Sequence, residues 1–160
     1  MGYNQIVENI IMWNKDRDNN NYDSALEFSM LQEECLEYAH SYIKTVNDYI
    51  GFDVHTCTEE EYEAAKDNIA VYLETEKFQE DWKVNQLDAL VDTVFVAVGS
   101  IGKLLNQDKG LVCKAIEEVI IANEQKSKTK NKDGKITKPS NFVGPEEELR
   151  KIIKGVSNGE

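Results

Sequence analysis

Two short acidic clusters hold the residue types best suited to chemistry in this chain. Glu33-Glu34-Cys35-Leu36-Glu37 is the first, and Asn85-Gln86-Leu87-Asp88-Ala89-Leu90-Val91-Asp92 is the second. On a helix at about 100° per residue, Glu33 and Glu37 lie about 40° apart and Glu34 and Glu37 about 60° apart, so these acids share one side of two successive turns. Asn85, Asp88 and Asp92 do the same. Asp88 and Asp92 sit inside the most apolar stretch of the chain, where an ionised carboxylate is costly unless it is paired, neutralised or bound to a cation. No Lys or Arg lies one turn from Asp92. Two facing helices carrying Glu33, Glu34, Glu37, Asp88, Asp92 and the amide oxygen of Asn85 would present hard oxygen ligands suited to magnesium or manganese. The competing reading of Glu33, Glu34 and Glu37 is a solvated helix face. For Glu59-Glu60-Glu61 and Glu63 the solvated face is the reading adopted, because acids in a first turn are favoured by the helix dipole.

A third cluster has the opposite sign. Lys126, Lys128, Lys130, Lys132, Lys135 and Lys138 gather in one segment of an otherwise acidic protein. Such a cluster can hold phosphate, and a solvated loop at the end of a bundle has the same composition. Combined with the carboxylates it favours a polyphosphate ligand, since a metal and a set of lysines neutralise different parts of it. Two other metal patterns fail. Glu37-x-x-His40 has the spacing of di-iron carboxylate ligands, but His55, the other histidine, has no Glu three residues before it, which leaves His40 an ordinary surface residue. Lys132-Asp133-Gly134-Lys135-Ile136-Thr137 resembles the middle of an EF-hand loop. Setting Gly134 at the invariant glycine puts Thr129 and Ser140 where the first and last acids belong, and calcium is rejected.

The elements that must position these groups read as helices. Pro139 and Pro145 are the only prolines, so nothing before residue 138 is interrupted by the strongest helix breaker. Ile6, Ile10 and Trp13 make the apolar stripe of a first helix, which ends in the polar run 16–21. Asp23 or Ser24 caps a long second helix, with Leu31, Tyr38, Tyr42 and Val46 as its stripe, closing near Gly51. Thr58-Glu59-Glu60-Glu61 fits a capping box opening a peripheral third helix. From Asp81 to Leu105 the chain is apolar nearly all round, which predicts the most buried helix of the molecule. Asn106 to Gly110 form a turn, and Val112, Ile116, Val119, Ile120 and Ile121 define a fifth helix. Residues 127–160 are then a loop and a short C-terminal helix entered through Gly144-Pro145-Glu146. The expected architecture is a single all-α helical bundle over residues 1–160.

Composition restricts the function classes. With 18 Lys and Arg against 30 Asp and Glu the formal net charge is −12, which repels nucleic-acid backbones and anionic lipid. The expectation is therefore no nucleic-acid and no membrane partner. The apolar run Leu87 to Leu105 contains Asp88, Asp92 and Lys103 and falls short of a membrane span, and the N-terminus shows no targeting pattern, so a cytoplasmic protein is expected. Cys35, Cys57 and Cys113 are odd in number and widely spaced, against a disulfide framework or thiolate zinc site. A helix apolar nearly all round needs more cover than one small chain gives, so a homodimer or homotetramer is expected.

Glu33-Glu34-x-x-Glu37, followed by Asp88-Ala-Leu-Val-Asp92-Thr-Val-Phe-Val-Ala-Val-Gly99 and then by Asn123-x-x-Lys126, Asp133-Gly134-Lys135, Lys138 and Phe142 to Pro145, resembles the MazG-like all-α nucleoside triphosphate pyrophosphohydrolases, which include the dimeric dUTPases and phosphoribosyl-ATP pyrophosphohydrolases. The resemblance spans roughly residues 5 to 145. It implies a hydrolase with a MazG-like fold that cuts a nucleoside triphosphate between the α and β phosphates, giving the monophosphate and pyrophosphate, with magnesium, or manganese, as cofactor. It further implies Glu34, Glu37, Asp88 and Asp92 as metal ligands, with Asn85 beside them, and Glu33 as general base, a role Glu34 could exchange with it. Asn123, Lys126 and Lys138 would bind the phosphates. Trp13 or Phe142 would stack on the base, a plain core position being the other reading of Trp13. Asn85 departs from the pattern, since that family's second motif has Glu there. A longer spacer with the extra helix of residues 58–76 is the other departure. The rival class is a non-catalytic helical interaction protein, a dimeric adaptor, whose glutamates are a solvated face.

Overall fold

The computed structural model describes residues 2–157. Among these residues it is all-α, with six helices and no strand: α1 (Tyr3–Lys15), α2 (Ser24–Ile50), α3 (Glu59–Leu73), α4 (Glu76–Leu104), α5 (Lys109–Glu124) and α6 (Glu146–Ser157). No helix among them is long and apolar enough to cross a membrane. The chain divides into two compact units, Asp23–Ala97 and the remainder on either side of it, and α4 contributes to both.

In the unit Asp23–Ala97, the ends of the helices follow local chemistry. The Asp23 carboxylate accepts from the backbone N–H groups of Ala25 and Leu26 at 2.9 and 3.2 Å and so starts α2. Gly51 stops it in the left-handed conformation, φ 80°, with its N–H on the Asn47 carbonyl. Thr58 and Glu61 close the capping box expected for α3, and the two bonds from Thr58 hold the Glu61 carboxyl below the usual range. α3 buries no residue completely, which makes it peripheral as expected. The core between α2 and α4 is aromatic. Phe78, wholly buried, meets the rings of Tyr42 and Tyr49 edge-on at 5.6 and 5.4 Å, and Tyr42 meets Trp82 at 5.1 Å. Asp81 accepts from Lys77 and Tyr49, both at 2.7 Å, and these bonds, the Lys77 ammonium first, hold its carboxyl below the usual range.

In the other unit, α1 buries Val7, Ile10, Ile11 and Asn14. This corrects the expected stripe: Ile6 and Trp13 are exposed, and the buried face is turned toward Val7 and Ile11. The reason is a buried amide. Asn14 donates to the Ile10 carbonyl, accepts from Asn19, and sits where a Cβ at Gly99 would come within 3.0 Å of its nitrogen. Glycine is needed there for α1 to approach. At Gly102 a Cβ would come within 2.9 Å of the Gln107 Oε1, so that side chain would have to shift. The lysine-rich segment is more ordered than a plain loop. Asn131 N–H donates to the Lys135 carbonyl and Ser127 N–H to that of Thr137, around a turn with Gly134 at φ 77°.

α4 differs most from expectation. Leu87, Leu90, Val91 and Val94 are 62, 48, 57 and 56% exposed, so the helix predicted to be the most buried presents an apolar stripe at the surface over these turns. Asp88 and Asp92 are exposed as well. Their charge is therefore not forced into an apolar interior, and the desolvation argument for a cation applies to Glu34 instead.

Candidate functional site

Two hydrogen bonds set the register of α2 against α4. Tyr49 reaches Asp81, and one turn earlier on α2 Thr45 meets Asn85, one turn later on α4. The helices are antiparallel. Continued by further turns, the same register brings Ser41 level with Ala89, both buried and small enough for close approach, and Tyr38 level with Asp92. Asp92 thus stands beside the end of the first acidic cluster at Glu37, while Glu33 and Glu34 fall level with Ala97 and Val96, and Asp88 falls level with Tyr42.

Electrostatics agree with the register. The Glu34 carboxyl is pushed above the usual glutamate range by its partial burial first, then by Asp92, Glu37, Glu33 and Asp88. The other four expected carboxylates therefore all act on Glu34, which is half-buried while they are exposed. They are not closed into a cage: among the described residues no group of three or more His, Cys, Asp or Glu stands ready to hold a metal ion. The chemistry of the donors, all oxygen, suits a hard divalent cation.

Beside them runs a groove of about 580 Å³ lined by Ser29, Gln32, Glu33, Leu36, Glu37, His40, Ser41 and Lys44 of α2 and by Asn85 of α4. The α2 residues recur at three and four positions, so one helix face supplies nearly the whole wall. Asn85 is fixed by a chain of bonds. The Thr45 hydroxyl donates to the Ser41 carbonyl at 2.7 Å, so toward Asn85 it accepts, from Nδ2 at 2.9 Å. The amide oxygen of Asn85 is consequently the polar atom left for a ligand. Thr45 carried no recognisable signal in the sequence. Its role depends on the facing helix.

The other expected site residues, Trp13, Asn123, Lys126, Lys138 and Phe142, belong to the other unit. Trp13 is exposed with the Arg17 guanidinium 4.2 Å over its ring, which rules out the plain core position. Asn123 spends its amide nitrogen on the Val119 carbonyl at 2.7 Å, while its backbone carbonyl accepts the Lys126 N–H. The Lys138 ammonium lies 4.6 Å over the ring of Phe142. Lys138 and Phe142 thus form a local cation–π pair.

Compared with known proteins, the chain matches no family model, and no curated protein or solved structure matches it significantly.

Proposed function

We propose that this chain is a magnesium-dependent nucleoside triphosphate pyrophosphohydrolase of the MazG-like type, releasing a monophosphate and pyrophosphate. The observation that carries the reading is the action of Glu33, Glu37, Asp88 and Asp92, from two antiparallel helices, on the half-buried Glu34, with Glu33 and Glu37 lining a groove large enough for a ligand. Glu34, Glu37, Asp88 and Asp92 would hold magnesium or manganese, with the Asn85 oxygen as a neutral donor. When bound, the metal supplies positive charge against the phosphoryl oxygens. Glu33 lines the groove and takes the proton from the attacking water as the bond between the α phosphorus and the bridging oxygen breaks; pyrophosphate leaves with that oxygen. Glu34, whose carboxyl already favours its proton, is the other candidate for this role.

Thermal unfolding followed against pH and magnesium tests the cluster. Because Glu34 binds its proton more tightly folded than unfolded, this stabilisation is complete below the usual glutamate range and is lost as pH rises through the raised value. Glu34→Gln is therefore expected to melt above wild type at pH 7 without metal, with the gap closing as pH falls through the raised value into the usual glutamate range. Millimolar magnesium raises the wild-type melting temperature more than matched ionic strength does. A response to magnesium no larger than to sodium at equal ionic strength supports the solvated-face reading and the interaction-protein alternative.

The apolar stripe Leu87, Leu90, Val91 and Val94 supports a second copy as its cover, giving a homodimer or homotetramer. Light scattering at micromolar concentration reads this directly, and a monomer overturns it.

A further inference from the structure

The groove along α2 is not acidic over its whole length. Glu33 and Glu37 line one part of it, and His40 and Lys44 line the part that follows. Residues 33, 37, 40 and 44 stand three or four apart and so form one stripe, and at 1.5 Å per residue Lys44 lies about 10 Å beyond Glu37 along the helix. Lys44 is exposed, and among the described residues it has no ion-pair partner, in a chain of net charge −12. An ammonium two turns from a carboxylate pair suits a ligand that is neutralised by a cation at one end and carries free negative charge at the other.

We propose that Lys44, with His40 one turn before it, is a phosphate subsite of this groove and binds the terminal phosphate of a polyphosphate whose other end lies at the carboxylates. This rests on the pyrophosphohydrolase reading and deepens it, because it places phosphate recognition in the groove in preference to Lys126 and Lys138. Lysine binds as a point charge on a flexible stem, so the contact tolerates arginine and not a neutral side chain of similar length.

The test is calorimetric titration of the full chain with inorganic tripolyphosphate, with and without magnesium, at constant ionic strength. Wild type is expected to bind only with magnesium. Lys44→Met weakens that binding about tenfold or more, the loss of one charge-assisted contact. Lys44→Arg keeps most of it, and the double variant Lys126→Met with Lys138→Met binds as wild type. If Lys44→Met binds as tightly as wild type while Glu37→Gln loses magnesium-dependent binding, the subsite is wrong and the pyrophosphohydrolase reading stands. If the loop variant loses binding and Lys44→Met does not, recognition belongs to the loop and the subsite is again wrong. Absence of magnesium-dependent binding in wild type overturns the pyrophosphohydrolase reading and this subsite with it.

Discussion

Glu37→Gln and Asp88→Asn are each expected, on the proposed function, to lower magnesium-dependent pyrophosphate release at least about a hundredfold while the protein stays folded. Loss of a group that only orients a metal ligand already costs about ten- to a hundredfold, and a direct ligand costs no less. Both side chains are exposed, so neither substitution opens a cavity. Each removes a charge that acts on Glu34, and without metal the melting temperature is expected to hold or rise. Melting curves and pyrophosphate assays on the same preparations check both halves. Wild-type turnover in either variant removes that residue from the site, and a lower melting temperature in both shows their carboxylates to be structural.

The largest loss of stability is expected at Phe78. Its ring is completely buried between Tyr42 and Tyr49, and Phe78→Ala is expected to cost about 3 to 5 kcal/mol through lost burial and the cavity left behind. For a chain of this size that lowers the melting temperature by roughly 6 to 20 °C. Val71→Ala on α3, a position 64% exposed, should stay within about 0.5 kcal/mol of wild type. Denaturant melts of both variants compare them, and equal losses would contradict the aromatic core as the anchor of α2 on α4.

The helices and several of their ends were legible because their signals are local. Asp23 and Gly51 bracket α2, and Thr58 with Glu61 opens α3, through bonds that span only a few residues. α4 begins at Glu76, ahead of the apolar pattern that starts near Asp81. Its first turns carry Phe78 between charged and polar residues, and its partners Tyr42 and Tyr49 are far away in sequence. The buried stripe of α1 is hidden from the sequence for a related reason: burial of Asn14 depends on Gly99 and Asn19, and an amide on an apolar face gives no sign of a partner in another element.

At the candidate site, the spacing of Glu33, Glu34, Glu37, Asn85, Asp88 and Asp92 was readable from helical periodicity, and the register of α2 against α4 brings Asp92 beside the end of the first cluster at Glu37. The groove wall was not. Ser29, Gln32, His40, Ser41 and Lys44 form an ordinary polar face until the facing Asn85 is placed, and Lys44 has no motif around it. The exposed Leu87, Leu90, Val91 and Val94 show the limit of apolar content as a guide, since it cannot distinguish a face buried within one chain from a face left at its surface.

The central claim is tested most directly by incubating the wild-type chain with a panel of ribonucleoside and deoxyribonucleoside triphosphates in magnesium and quantifying pyrophosphate and nucleoside monophosphate. At least one triphosphate is expected to yield the two products in equal amounts, with the yield abolished by a chelator and restored by added magnesium. No release from any member of the panel, or orthophosphate appearing with the diphosphate in place of pyrophosphate with the monophosphate, would contradict it.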